Sequence, residues 1–126
     1  MQPIQLFELT SKQAHWLTVR QSVIAGNIAN ANTPGYAARD VAAFQAVLQG
    51  TVSRMSATNP GHIREESLRG SVKSDSVQDG IEILPSGNSV ALADELSKTG
   101  EIKRLYELNA GLVKSFHRMM LLTVRR

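Results

Sequence analysis

Three histidines, His15, His62 and His117, and the adjacent pair Glu65-Glu66 are the side chains best suited to catalysis or metal binding. The histidines show no metal-ligand spacing with one another, and the chain has no cysteine, so thiolate-bound zinc, iron–sulfur clusters and redox pairs are excluded. His15 and His117 fall inside helical patterns, where a packed or solvated imidazole is the commoner state. Glu65-Glu66 stands in a polar stretch, and neighbouring carboxylates there are ordinarily solvated. No GxGxxG or GxxxxGK[ST] run is present to cradle a phosphate, and no GxSxG run presents a nucleophile. The chain is therefore read as a non-enzyme, with no catalytic residue, no metal and no cofactor.

The unusual chemistry lies elsewhere, in Val23-Ile-Ala-Gly-Asn-Ile-Ala-Asn-Ala-Asn-Thr-Pro-Gly-Tyr36. Its small residues let another backbone approach closely. The amides of Asn27 and Asn30 can bond across helices or to the open carbonyls of a helix end. Thr33 is pushed from the helical region by Pro34, and Pro34-Gly35 suits the central positions of a type II turn.

Two long helices must position this segment. Over residues 4–32, Phe7, Ala14, Gln21 and Ile28 recur every seventh residue, with Thr10, Leu17, Ile24 and Ala31 as the companion row. Over residues 89–126, with Ser89 as N-cap, the seam is Thr99, Ile102, Tyr106, Asn109, Val113, Phe116, Met120 and Thr123. A second stripe, Leu105, Leu108, Leu112, Met119 and Leu122, lies beside it. Between the helices, Asp40 is placed to cap a short helix carrying Val41, Phe44, Val47 and Leu48 on one side. Residues 50–88 turn rich in Gly, Ser and Pro and read as a flexible excursion, with Ile81-Glu82-Ile83-Leu84 as a candidate strand of one small β-hairpin.

The expected fold is mainly α. Residues 1–49 form the N-terminal helix, turn and short helix, residues 50–88 an irregular middle, and residues 89–126 a C-terminal helix. The two long helices pack as an antiparallel coiled-coil hairpin within one domain, through Leu17, Ile24, Ile28, Ile102, Tyr106, Val113, Phe116 and Met120. Each carries more apolar surface than one partner covers, which points to assembly.

The chain has 126 residues, 42% hydrophobic and 5% aromatic, and a net charge of +3. Its last thirty residues hold seven basic side chains against Glu101 and Glu107. A basic helical nucleic-acid-binding module is therefore the competing reading. The longest strongly apolar run is Met119-Met120-Leu121-Leu122, far below the ~20 residues a membrane span needs. Met-Gln-Pro-Ile-Gln at the start has neither the basic nor the apolar region of a secretory signal.

Asn27-Ile28-Ala-Asn30-Ala-Asn32-Thr33-Pro34-Gly35-Tyr36 resembles the N-terminal signature of the bacterial flagellar axial proteins, which include rod, hook and hook-associated subunits. The uninterrupted Asn-Thr-Pro-Gly-Tyr followed by Ala38-Arg39-Asp40 is most similar to the proximal-rod members. Ser86-Gly-Asn-Ser-Val-Ala-Leu92 resembles the family's entry into its C-terminal helix. Ala91 stands where an acidic residue is common, and Ala37 where lysine often follows the tyrosine.

The resemblance implies a structural subunit of the proximal rod, the drive shaft of the flagellar basal body. It implies type III export without a cleavable signal peptide, a place in the periplasmic rod, and polymerisation through the terminal helices. The partners implied are other copies of the chain, other rod proteins, the adaptor protein at the ring–rod junction and the export gate, but no nucleic acid. Phe44 and Leu48, at i and i+4, resemble the Phe-x-x-x-hydrophobic export-gate motif.

Overall fold

Pro3 stands in the first turn of the opening helix, where its missing N–H leaves no intrahelical bond unmade. That helix, α1, spans Pro3–Ala29. A turn leads to a three-residue strand, β1 (Arg39–Val41), and then to a short helix, α2 (Phe44–Gly50). A second short strand, β2 (Ser74–Ser76), precedes the longest element, α3 (Leu92–Val124). The computed structural model describes residues 3–50, 74–76 and 83–124. The fold is mainly helical and dominated by contact between α1 and α3.

The helices run antiparallel in a register read directly from their contacts. Phe7 near the start of α1 meets Phe116 near the end of α3, ring edge to face, at 5.6 Å between centroids. Asn109 Nδ2 donates to the Thr10 carbonyl at 2.9 Å, and Asn27 Nδ2 donates to Glu95 Oε2 at 2.9 Å. Trp16, Leu17, Ile24 and Ile102 form the buried centre between these polar contacts. On α3 the buried positions are Glu95, Ile102 and Asn109, spaced by heptads. The companion row lies at the edge of the contact: Thr99, Val113 and Met120 are half-buried, and Tyr106 stays 53% exposed.

On α1 the buried heptad row is Thr10, Leu17 and Ile24, while Phe7, Ala14 and Ile28 are half-buried and Gln21 is exposed. Trp16 and Asn27 are also buried, although they lie one step around the helix from that row. The arm after the turn covers this flank. Trp16 Nε1 donates to the Ala42 carbonyl at 2.8 Å, Phe44 tilts against the indole at 5.8 Å, and Val41 and Val47 pack on the same cluster.

Three local expectations are corrected. Asp40 does not cap α2, whose first bonds run to the Ala43 carbonyl; it lies in β1 and its carboxylate faces Arg20 and Lys98. Ser89 does not cap α3 either, because its Oγ accepts the Ala38 N–H at 2.9 Å, and the first α3 bonds run to the Ala91 carbonyl. Ile83 and Leu84 are not in a strand, and Ile81 and Glu82 lie outside the described residues, as does most of the stretch from 50 to 88. The ladder instead joins β1 to β2, antiparallel, with Asp40 opposite Asp75.

Candidate assembly site: a turn network and an uncovered helix face

The carbonyls of the turn that follows α1 have no helical donor and need another. Asn88 supplies it. Its Nδ2 lies 2.9, 3.0 and 2.8 Å from the carbonyls of Asn30, Ala31 and Thr33, and its Oδ1 accepts the Val90 N–H at 2.8 Å. One buried amide thus pins the turn after α1 and holds the backbone that enters α3. Asn30 adds a bond from Nδ2 to the Gly26 carbonyl at 2.8 Å.

Two glycines make the crossing. Tyr36 N–H donates to the Thr33 carbonyl and Gly35 has φ +71°, the geometry of a type II turn with proline then glycine at its centre. Gly87, at φ +78°, ends the Leu84-Pro85-Ser86-Gly87 turn, where Leu84 also donates back to the Asn88 carbonyl. The turns are tied by Gly35 N–H to the Ser86 carbonyl at 3.0 Å and Ser89 N–H to the Tyr36 carbonyl at 3.1 Å.

Asn27 is the centre of the arrangement and is 0% exposed. Its Nδ2 donates to the Arg39 carbonyl at 2.6 Å and to Glu95, while its Oδ1 accepts the Arg39 N–H at 3.0 Å and the Tyr36 hydroxyl at 3.4 Å. Glu95, 2% exposed, is held on its other oxygen by Lys98 at 2.9 Å. Lys98 reaches Asp40 at 3.6 Å, and Asp40 takes a two-pronged bond from Arg20 at 3.1 and 3.3 Å. The Arg20 guanidinium lies 5.4 Å over the Trp16 ring. Among the described residues no buried side-chain nitrogen or oxygen is left without a partner.

Burial of the Asp40 carboxyl favours its neutral form, but the Arg20 bonds, the Val41 N–H and the charges of Arg20 and Lys98 outweigh this and lower its pKa below 3.8. Burial likewise disfavours charged Lys98, and Glu95 with Asp40 overcomes it, raising its pKa above 10.5. Asp40 and Lys98 thus each favour their charged form and hold the arm to α3 as an ion pair.

Of the signature residues, the structure brings Asn27, Asn30, Thr33, Gly35 and Tyr36 into this network, with Ile28 half-buried beneath it and Asn32 and Pro34 exposed. Phe44 packs on Trp16, away from the turn, and Leu48 is half-buried on α2. Sequence reasoning missed Asn88, Glu95, Asp40, Arg20 and Lys98 as a group. The available signals were a Gly-Asn pair before α3 and a glutamate in heptad phase with Ile102 and Asn109.

The second feature is apolar. Along the outer side of α3, Leu108, Leu112, Met119 and Leu122 are 48–69% exposed, on the three–four spacing of a coiled-coil seam whose position between Leu112 and Met119 is Ser115. Among the described residues, no group of three His, Asp or Glu side chains is placed to hold a metal, and no helix is long and apolar enough to cross a membrane.

The model of the family described as "Flagella basal body rod protein" matches residues 17–36, from the core Leu17 through the turn to Tyr36. The flagellar basal body rod protein FlgB of Agrobacterium fabrum is 59% identical over 130 residues, spanning 100% of this chain and 97% of that protein. The chain belongs to the flagellar basal body rod proteins. FlgB of Borrelia hermsii is 32% identical over 119 residues, 83% of this chain and 87% of its own length. Both rod-protein names denote a structural part rather than a catalyst.

Two outcomes test the network. Asn27→Ala leaves the Arg39 N–H and the Glu95 carboxylate short of a buried partner, so unfolding free energy falls by ~2–4 kcal/mol, whereas Asn32→Ala at the exposed position changes it by under ~0.5 kcal/mol. Urea titration followed by circular dichroism separates them. The contribution of Asp40, whose folded pKa is lowered, is present above its ordinary value of 3.8 and is lost as pH falls through the folded value. That of Lys98, whose folded pKa is raised, holds below 10.5 and is lost as pH rises through the folded value. Stability should therefore fall at both limits, and Asp40→Asn should start lower at neutral pH and show a shallower acid loss.

Proposed function

We propose that the chain is a structural subunit of the proximal rod of the bacterial flagellar basal body. It is exported by the type III apparatus and polymerises through α1 and α3 with further copies and other rod proteins, next to the adaptor at the ring–rod junction. The observation that carries the reading is the α3 stripe. After the hairpin has formed, Leu108 and Leu122 remain 69% and 66% exposed in a regular seam. An apolar seam of this length in water is ordinarily an interface awaiting its partner. The family assignment supports the flagellar setting, and a helix pair with a fixed register supports a repeating tube wall, since every copy then presents the same face.

The nucleic-acid alternative draws no support from Lys98, which is occupied by Glu95 and Asp40. Phe44 and Leu48 serve as the export handle in this reading. Because Phe44 is packed on Trp16 in the folded chain, the gate meets it only before folding. Electron microscopy of basal bodies from a deletion strain should show no complete rod; a normal rod would sink the assignment. Phe44→Ala with Leu48→Ala should hold the protein in the cytoplasm, and its normal arrival in the periplasm would leave those side chains a packing role alone.

A further inference from the structure

The α1–α3 layer has two unlike faces. With Ile102 directed at α1, a rotation of about 100° per residue carries Tyr106, Ala110 and Val113 to one side of α3 and Leu108, Leu112, Met119 and Leu122 to the other. On the first side a groove runs between the helices, with Phe7 and Tyr106 among its larger residues and Thr10, Ser11, Ala14 and Ala110 among its smaller ones. On the second side stand the exposed leucines and methionine. A groove with small residues between aromatic ones accepts a helix bearing Leu and Met knobs at three–four spacing.

The geometry points to a head-to-tail interface in which the Leu108–Leu112–Met119 face of one copy seats in the Phe7–Tyr106 groove of the next. This rests on reading the chain as a polymerising rod subunit, and it names the two surfaces that meet. Because the surfaces are different and lie on opposite sides of the layer, each copy that fills a groove offers a new groove. Growth therefore continues rather than closing on a two-fold axis. Pairing of the stripe with itself would bury the leucines but stop at two copies and leave the groove empty.

The cysteine-free chain makes the test direct. Ser11 is exposed in the groove, and Ser115 is exposed in the stripe between Leu112 and Met119. Ser11→Cys and Ser115→Cys would be placed on separate copies with tags of different size, expressed together in a strain lacking the native gene, and oxidised in purified basal bodies. The mixed disulfide should exceed either like-with-like product by at least about tenfold. A Ser115→Cys pair linked to itself as the main product, or no product in intact rods, would overturn the interface while leaving the rod assignment in place. Absence of the wild-type chain from purified basal bodies would instead overturn the assignment.

A second measurement stands if those variants fail to assemble. Ser11→Glu and Leu112→Glu should each sediment as monomers alone and form one-to-one dimers when mixed, because together they retain one intact groove and one intact stripe. No dimer on mixing would contradict the proposal.

Discussion

A buried primary amide with all its polar atoms engaged is the constraint from which this fold is organised. Asn27 sits on α1, yet its bonds go to the backbone of Arg39 at the start of β1, to the Tyr36 hydroxyl in the turn, and to Glu95 on α3. Burying such a group without partners is costly, so an arrangement that satisfies it is favoured over neighbouring registers that do not. Leu17, Ile24 and Ile102 supply the hydrophobic drive, but aliphatic contacts alone tolerate a heptad slip. The polar pairs at Asn27–Glu95 and Asn109–Thr10 do not.

The consequences reach the surface. With the register held, the arm from β1 to α2 covers the Trp16 flank of α1, and the charges of Arg20, Asp40 and Lys98 tie that arm to both helices. The stripe on α3 and the groove beside Tyr106 are then surfaces of determined shape among those left uncovered. A fixed interior register gives those faces the same layout in every molecule.

The long helices were legible because seven-residue spacing is a local signal, and the turn was legible because proline and glycine restrict their own dihedrals. Thr10, Leu17 and Ile24 stood in one expected row, and the positive φ of Gly35 follows from its place after Pro34. The partners of the polar groups were not legible. Asn27 and Glu95 are 68 residues apart, and Asn88 reaches carbonyls 55 to 58 residues away. Periodicity says that a side chain points inward, not which distant group it meets. For the same reason Ser89 and Asp40, both good caps by residue type, are used instead by long-range contacts. Tyr106 shows the complementary limit, since a seam position at the edge of a two-helix contact stays open, here 53% exposed.

The register itself is the most direct test. The chain has three phenylalanines, and the rings of Phe7 and Phe116 lie 5.6 Å apart between centroids. A nuclear Overhauser effect between these two rings therefore reports the register, since a seven-residue slip moves the partner by about 10 Å along the axis. The wild-type chain should show this cross-peak strongly. Asn27→Leu keeps the branched heavy-atom shape and adds apolar character but removes the polar bonds, so the peak should weaken markedly while helix content is largely retained. A full-strength Phe7–Phe116 cross-peak in Asn27→Leu would contradict the claim that the buried amide holds the two helices in place.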